Sequence, residues 1–263
     1  MNQGLHVFDR VKSILIQEVD WTVGFTLNNN KRLQVLYRHW AKDYDEEMPK
    51  INYGHIEPMK EAFKKINIQT DAKILDAACG TGYPTAALYE MGYKNLHGID
   101  FCPEMLAEAD KKNIYKNLTL GDLIKPIIYP TDTFDVVMCI AFFAGGYMGI
   151  EPIDELIRVL KPQGRLICSI SKKIFTDEFD KKFQQLQDSN IIEIEYISEP
   201  FFSDSNYTFD TPNPVDGMLD YVKGPDKTVF WRPRKYNRTD RTFGKPSQKR
   251  TSYPHNIFSI KKL

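Results

Sequence analysis

The sequence predicts a doubly wound α/β fold built on a mostly parallel sheet, and three observations predict it. From residue 72 onward, short apolar runs ending in glycine or aspartate alternate with short helical stretches. The run Phe134-Asp-Val-Val-Met-Cys-Ile140 is too apolar for a strand with one wet face, and suits one covered on both. The polar residues with ligand-binding character cluster at the ends of such runs, where open α/β sheets receive their ligands.

Taken in order, Phe8, Val11, Leu15 and Val19 recur at helical spacing before the polar Asn28-Asn-Asn30, a helix boundary. Helical stretches follow over 31–47 and 56–65. Ala72-Lys-Ile-Leu-Asp-Ala-Ala-Cys79 reads as a buried strand closed by Gly80. Residues 84–91 form a helix with Pro84 near its start and Gly92 just past its end. A strand over 96–100, a helix over 103–112 and a strand over 118–120 come next, then the strand over 134–140 and a helix over 153–160. Lys161-Pro-Gln-Gly164 turns the chain into a strand over 165–170. A helix over 176–189 and strands over 191–197 and 256–262 complete a seven-stranded sheet, joined where parallel by right-handed crossovers.

Three segments divide the chain. Residues 1–30 form an N-terminal extension, and 31–201 with 256–263 form the domain. Residues 202–255 are basic and aromatic without a clear period, and so long a connection implies a substrate-facing insertion, a lid or a partly disordered loop.

Composition narrows the classes. Hydrophobic residues at 42%, charged residues at 27% and zero net charge fit a soluble globular protein with no global pull toward nucleic acid or membrane. No leader and no apolar run of about 18 residues is visible, so a cytoplasmic protein is expected. Cys79, Cys102, Cys139 and Cys168 lack metal or disulfide spacing. From Lys223 onward twelve basic side chains face only Asp226 and Asp240. That tail is either a solvated basic loop or a surface for an anionic partner.

Three strand ends carry the chemistry. Asp76-Ala-Ala-Cys-Gly80-Thr-Gly82 closes the first, and its glycines let backbone approach a ligand where a Cβ would clash. Asp100 closes the second, where a carboxylate can accept from both hydroxyls of an adenosine ribose, with Phe101 beside it to face the adenine; an acidic helix cap explains it equally. Gly121-Asp122-Leu123 closes the third, where Asp122 can accept from an adenine amino group or simply shape a turn.

Together these ends resemble the class I S-adenosylmethionine-dependent methyltransferases: Asp76-x-x-x-Gly80-x-Gly82, then Asp100, Asp122 and Phe134-Asp135, with Ala78 in place of a common glycine. That resemblance covers about residues 33–171, and within it Tyr37-Arg-His-Trp40-Ala-Lys-Asp-Tyr44-Asp45, with Ile74–Gly82, Leu96-His-Gly-Ile-Asp100 and Lys161-Pro-Gln-Gly164, further resembles the methyltransferase-like proteins of the Williams–Beuren syndrome chromosome region. The resemblance implies a Rossmann-like domain, S-adenosyl-L-methionine as cofactor and an unidentified methyl acceptor, small molecule or protein. It implies cofactor contacts from Tyr37, Trp40, Tyr44, Asp76, Ala78, Gly80 and Gly82, from Asp100, Phe101 and Met105, and from Asp122, Leu123, Ile140 and Ala141. The first three aromatics share a helix face, and aromatic faces attract a sulfonium cation; packing into the core is the alternative.

Methyl transfer needs alignment and exclusion of water more than acid–base groups. No base stands out, since the five histidines share no spacing. Phe142, Phe143 and Tyr147, with Tyr207, Phe209, Trp231 and Tyr236, are candidates for the acceptor mouth. A nicotinamide enzyme would want glycine or alanine where Thr85 stands, and the Asn/Asp-Pro-Pro-aromatic signature of base-amino methylation is absent at Ile140-Ala-Phe-Phe143. A cofactor-binding scaffold without turnover stays open.

Overall fold

The computed structural model describes residues 29–51, 53–143, 149–171, 177–202, 219–223, 229–233 and 255–263. The N-terminal stretch over 8–19, Tyr147, Tyr207, Phe209 and Tyr236 lie outside the described residues.

The described chain runs α1 (Asn29–Glu47), a 3-10 turn (Met48–Ile51), α2 (Ile56–Lys65), β1 (Ile74–Ala77), α3 (Tyr83–Glu90), β2 (Leu96–Asp100), α4 (Pro103–Lys111) and β3 (Asn117–Leu120). It continues with β4 (Phe134–Phe143), α5 (Pro152–Arg158), β5 (Leu160–Ser171), α6 (Asp177–Asp188), β6 (Ile192–Ile197), β7 (Leu219–Lys223), β8 (Val229–Pro233) and β9 (His255–Lys262). Seven strands form one sheet in the order β3-β2-β1-β4-β5-β9-β6. All neighbours are parallel except β9, which is antiparallel to both β5 and β6. The Rossmann-like, doubly wound, mostly parallel seven-stranded sheet expected from the sequence is therefore present.

Alternation along β4 explains why its run is apolar throughout. Val137 and Cys139 pack on one face with Leu166, Cys168, α5 and α6, while Val136, Met138 and Ile140 pack on the other with Met59 and Phe63 of α2 and Leu88 of α3. Both faces are dry from Val136 to Ile140, so neither residue parity carries polar groups there, and Asp135, at the strand's start, reaches Lys161 instead. All four cysteines are free and buried. Among the described residues no helix is long and apolar enough to cross a membrane.

Three details differ from the sequence expectation. The helix expected over 153–160 stops at Arg158, because Leu160 already pairs with Phe134. The turn expected at 161–164 lies within β5 as an irregularity: the register jumps from Phe134↔Leu160 to Val136↔Arg165, and Gln163 takes φ +66°. There a Cβ on Gly164 would sit 2.9 Å from the Lys161 carbonyl oxygen and 3.0 Å from that of Asp135, so nothing larger fits. Within the segment read as lacking a period, β7 and β8 pair as an antiparallel ribbon.

Candidate cofactor site

Strand order reverses between β1 and β4, which opens a crevice at the carboxyl ends of the strands. The loop after β1 lines it. Ala78, Gly80 and Gly82 take φ of +61°, +53° and +76°, so the chain passes through the left-handed region at every second residue. At Gly82 a side chain is excluded twice: by the angle, and by Tyr115, whose ring would lie 2.8 Å from an added Cβ. At Gly80 nothing lies within 4 Å of that position, so the loop faces open space there. Ala78 holds the same backbone region with a Cβ, a strain of roughly 1 kcal/mol that the common glycine would avoid.

Two buried carboxyls flank this loop. Asp100 Oδ2 accepts the Gly80 N–H at 2.8 Å and Oδ1 accepts the Cys102 N–H at 2.9 Å. One aspartate thus ties the β2 end to the glycine loop and to Cys102, the residue just before α4, and its oxygens keep spare lone pairs for a ligand. Asp76 Oδ2 accepts from the Thr85 and Tyr115 hydroxyls, the latter at 2.7 Å. Thr85 stands where a dinucleotide fold would want glycine because its hydroxyl serves Asp76. Burial pushes both carboxyls up to about 6; hydrogen bonds oppose the rise in each, and the neighbouring Asp100 charge adds to it at Asp76.

Helix α1 covers the crevice with an aromatic face. Tyr37 and Trp40 stack at 6.3 Å, Trp40 and Tyr44 meet edge-on at 4.9 Å, and Tyr37 meets Phe101 edge-on at 6.2 Å. Trp40 donates its indole N–H to Glu47 at 2.5 Å. Tyr44 and Phe101 pack with Ala41, Cys102 and Met105. Burial, then the Asp45 and Asp100 charges, holds the Tyr44 hydroxyl protonated far beyond its ordinary range. A clasp fixes the helix: Asp45 accepts from the Thr81 hydroxyl at 2.5 Å and pairs with Lys112, which also donates to the Thr81 carbonyl at 2.6 Å.

At the third strand end Asp122 Oδ1 accepts the Ile124 N–H at 3.2 Å, the turn-shaping role, and Leu123 is buried in the core. At the fourth, Ile140 is buried, while Ala141 takes φ +61° and donates its N–H to Ser169 Oγ at 2.7 Å. Phe143 packs edge-on against Phe179 at 5.6 Å, so its place is in the core. Sequence reasoning missed Asp45, Lys112 and Tyr115. Asp45 closes a quoted motif, whereas Lys112 and Tyr115 reach the loop only through the fold.

A family model described as a methyltransferase domain matches residues 75–168. The chain is 31% identical over 191 residues to a demethylmenaquinone methyltransferase of Lactobacillus johnsonii, a match covering 64% of this chain and 76% of that protein. The chain belongs to the class I S-adenosylmethionine-dependent methyltransferases. It is also 35% identical over 137 residues to human methyltransferase-like protein 27, covering 50% of this chain and 54% of the relative. A Geobacillus demethylmenaquinone methyltransferase matches at 30%, with 54% and 63% covered, so the chain spans between about half and two thirds of these two curated relatives. Among solved structures, a [4+2]-cyclase shares the fold of this class I methyltransferase with a TM-score of 0.53 at 16% identity, covering 86% of this chain and 96% of the cyclase.

Proposed function

We propose that this chain binds S-adenosylmethionine in the crevice and transfers its methyl group to a small-molecule or protein acceptor by in-line displacement. One observation carries the reading: the glycine loop, the Asp100 carboxyl and the aromatic face of α1 converge on one edge of the sheet. Each part suits a part of the cofactor. Asp100 offers acceptor lone pairs to ribose hydroxyls, the open space over Gly80 admits ligand against backbone, and Tyr37, Trp40 and Tyr44 offer aromatic faces to a cation. Phe101, Met105, Asp122, Leu123, Ile140 and Ala141 complete the proposed contacts. The bound group supplies a methyl already activated by positive sulfur. The protein's own part is to align the acceptor behind it and exclude water. We place the protein in the cytoplasm and expect no nucleic-acid partner through its basic tail.

The fold alone does not fix the reaction, since a cyclase shares it. A cofactor-binding scaffold without turnover is the second reading, and release of S-adenosylhomocysteine with an acceptor separates the two. For the first reading, calorimetric titration of S-adenosylmethionine is expected to saturate, and Asp100→Ala to weaken affinity about ten- to a hundredfold. Absence of binding to folded wild-type protein defeats it.

A further inference from the structure

Outside the cofactor crevice two imidazoles lie against each other. His55 immediately precedes α2 and His255 opens β9, with ring centroids 5.0 Å apart and planes at 72°. Their relative exposures are 1% and 4%. Aromatic rings hold them: Tyr53 lies 4.8 Å from His55, and Phe201 lies 5.1 Å from His55 and 5.8 Å from His255. The backbones of Phe201 and His255 exchange both N–H···O bonds, at 2.9 and 2.7 Å, which fixes where the His255 ring stands. Among the described residues, neither nitrogen of His55 nor Nδ1 of His255 has a hydrogen-bond partner. Buried polar atoms are ordinarily paired, so three such atoms in one cluster call for a ligand rather than a packing explanation.

Position gives the pair its use. His255 is in register with Ser171, the last residue of β5, and Phe143 at the end of β4 is in register with Ile170. The pair therefore stands at the carboxyl ends of the strands, on the β4 side of the strand-order reversal. Ile257 shares a layer with Ile140, and strand alternation puts His255 on that same face. Tyr53 links this cluster to the crevice: its ring also meets edge-on, at 5.6 Å, that of Tyr83, which opens α3 directly after the glycine loop.

We propose that His55 and His255 form the proton-accepting end of a methyl-acceptor subsite, and that the acceptor is an uncharged, planar molecule bearing a phenolic or enolic O–H. The inference rests on the S-adenosylmethionine reading. Planarity follows because the two imidazoles stand among flat rings, those of Tyr53, Phe201 and each other. The absence of charge follows because neither imidazole pairs with a carboxylate or a cation among the described residues. The O–H follows from the chemistry of the pair. A neutral imidazole nitrogen accepts from a donor, and a hydroxyl becomes a strong nucleophile only as its proton leaves, whereas a neutral amine already carries its lone pair. Burial keeps both rings in this base form: His255 is pushed down to about 4, and His55 falls well below its ordinary range, helped by the His255 charge. Tyr53 is the other titratable group in ring contact, and it stays protonated. In the step, the acceptor oxygen bonds the methyl carbon as the carbon–sulfur bond breaks. The electron pair stays on sulfur, and the O–H proton passes to an imidazole nitrogen and then to solvent.

The test supplies methyl-labelled S-adenosylmethionine to wild type, His255→Gln and His55→Phe, with catechol or aniline, a planar amine that is neutral at pH 7, as acceptor. Calorimetry measures cofactor affinity for each protein. Catechol is expected to be methylated and aniline not, with each variant about a hundredfold slower at saturating catechol while cofactor affinity holds within about twofold. At saturating cofactor the acid limb of the wild-type pH–rate profile is expected to move in His255→Gln. Variants that turn over catechol at the wild-type rate, preference for aniline, or cofactor-loaded wild type that methylates neither probe each overturn the proposal. Wild type that binds no cofactor defeats the underlying reading, and the calorimetry shows which of the two has failed.

Discussion

On the β1–β3 side of the crevice, the buried carboxyls of Asp76 and Asp100 receive four hydrogen bonds between them, from Thr85, Tyr115, Gly80 and Cys102. On the β9 side, His55 and His255 are equally buried, yet three of their four nitrogens have no partner among the described residues. Both clusters close the same edge of one sheet. The difference teaches that a position at the strand ends does not dictate pairing: one cluster has its polar side-chain atoms braced by its own loop, and the other is held by backbone pairing and ring contacts. A braced site resists substitution through stability, whereas an unbraced one gives up stability to keep polar atoms ready.

That contrast can be broken at the bracing itself. Gly82→Ala sets a Cβ against the Tyr115 ring that serves Asp76, in a backbone region alanine disfavours. A loss of about 3 kcal/mol in denaturant unfolding is expected.

A smaller effect comes from pH. The two carboxyls titrate near 6 in the folded protein, above their unfolded value near 4, so the folded form holds more protons in between. Their contribution to stability is therefore largest below about pH 4 and is lost as pH rises through 6. Melts of the ligand-free protein should show a slope of that sign between pH 4 and 6 that is shallower in Asp100→Asn; an unchanged slope would remove Asp100 from the account. Cofactor affinity should run the opposite way, rising toward pH 7 as Asp100 ionises to accept ribose hydroxyls.

The smallest effect sharpens the other side. His255→Phe removes an unpartnered buried nitrogen and keeps the ring contacts, so unfolding should shift by less than about 1 kcal/mol, in either direction. A loss of several kcal/mol would show that the imidazole is a structural brace after all.

The braced half was readable in the sequence because its parts are local. Asp76, Gly80 and Gly82 lie in one loop, Asp100 ends the next strand, and Tyr37, Trp40 and Tyr44 share one helix face. The mostly parallel, doubly wound character of the sheet followed from strand and helix alternation, since crossover handedness leaves few topologies. The parts that escaped depend on long-range closure. Tyr115 reaches Asp76, Lys112 reaches Asp45, and His55 meets His255 only when β9 enters the sheet beside β5. The ribbon of β7 and β8 escaped because two five-residue strands are too short to show a period against aromatic and basic neighbours.

β9 lies between β5 and β6, and among the described residues β6 has no other strand neighbour. During synthesis, β1 through β5 can pair as they leave the ribosome, but β6 stays without that partner until β9 has emerged. A pairing across so long a separation in sequence is slow, and the β5 edge is exposed while it waits. His255 arrives with β9, so a nascent chain would hold its glycine loop complete well before the rest of its crevice existed.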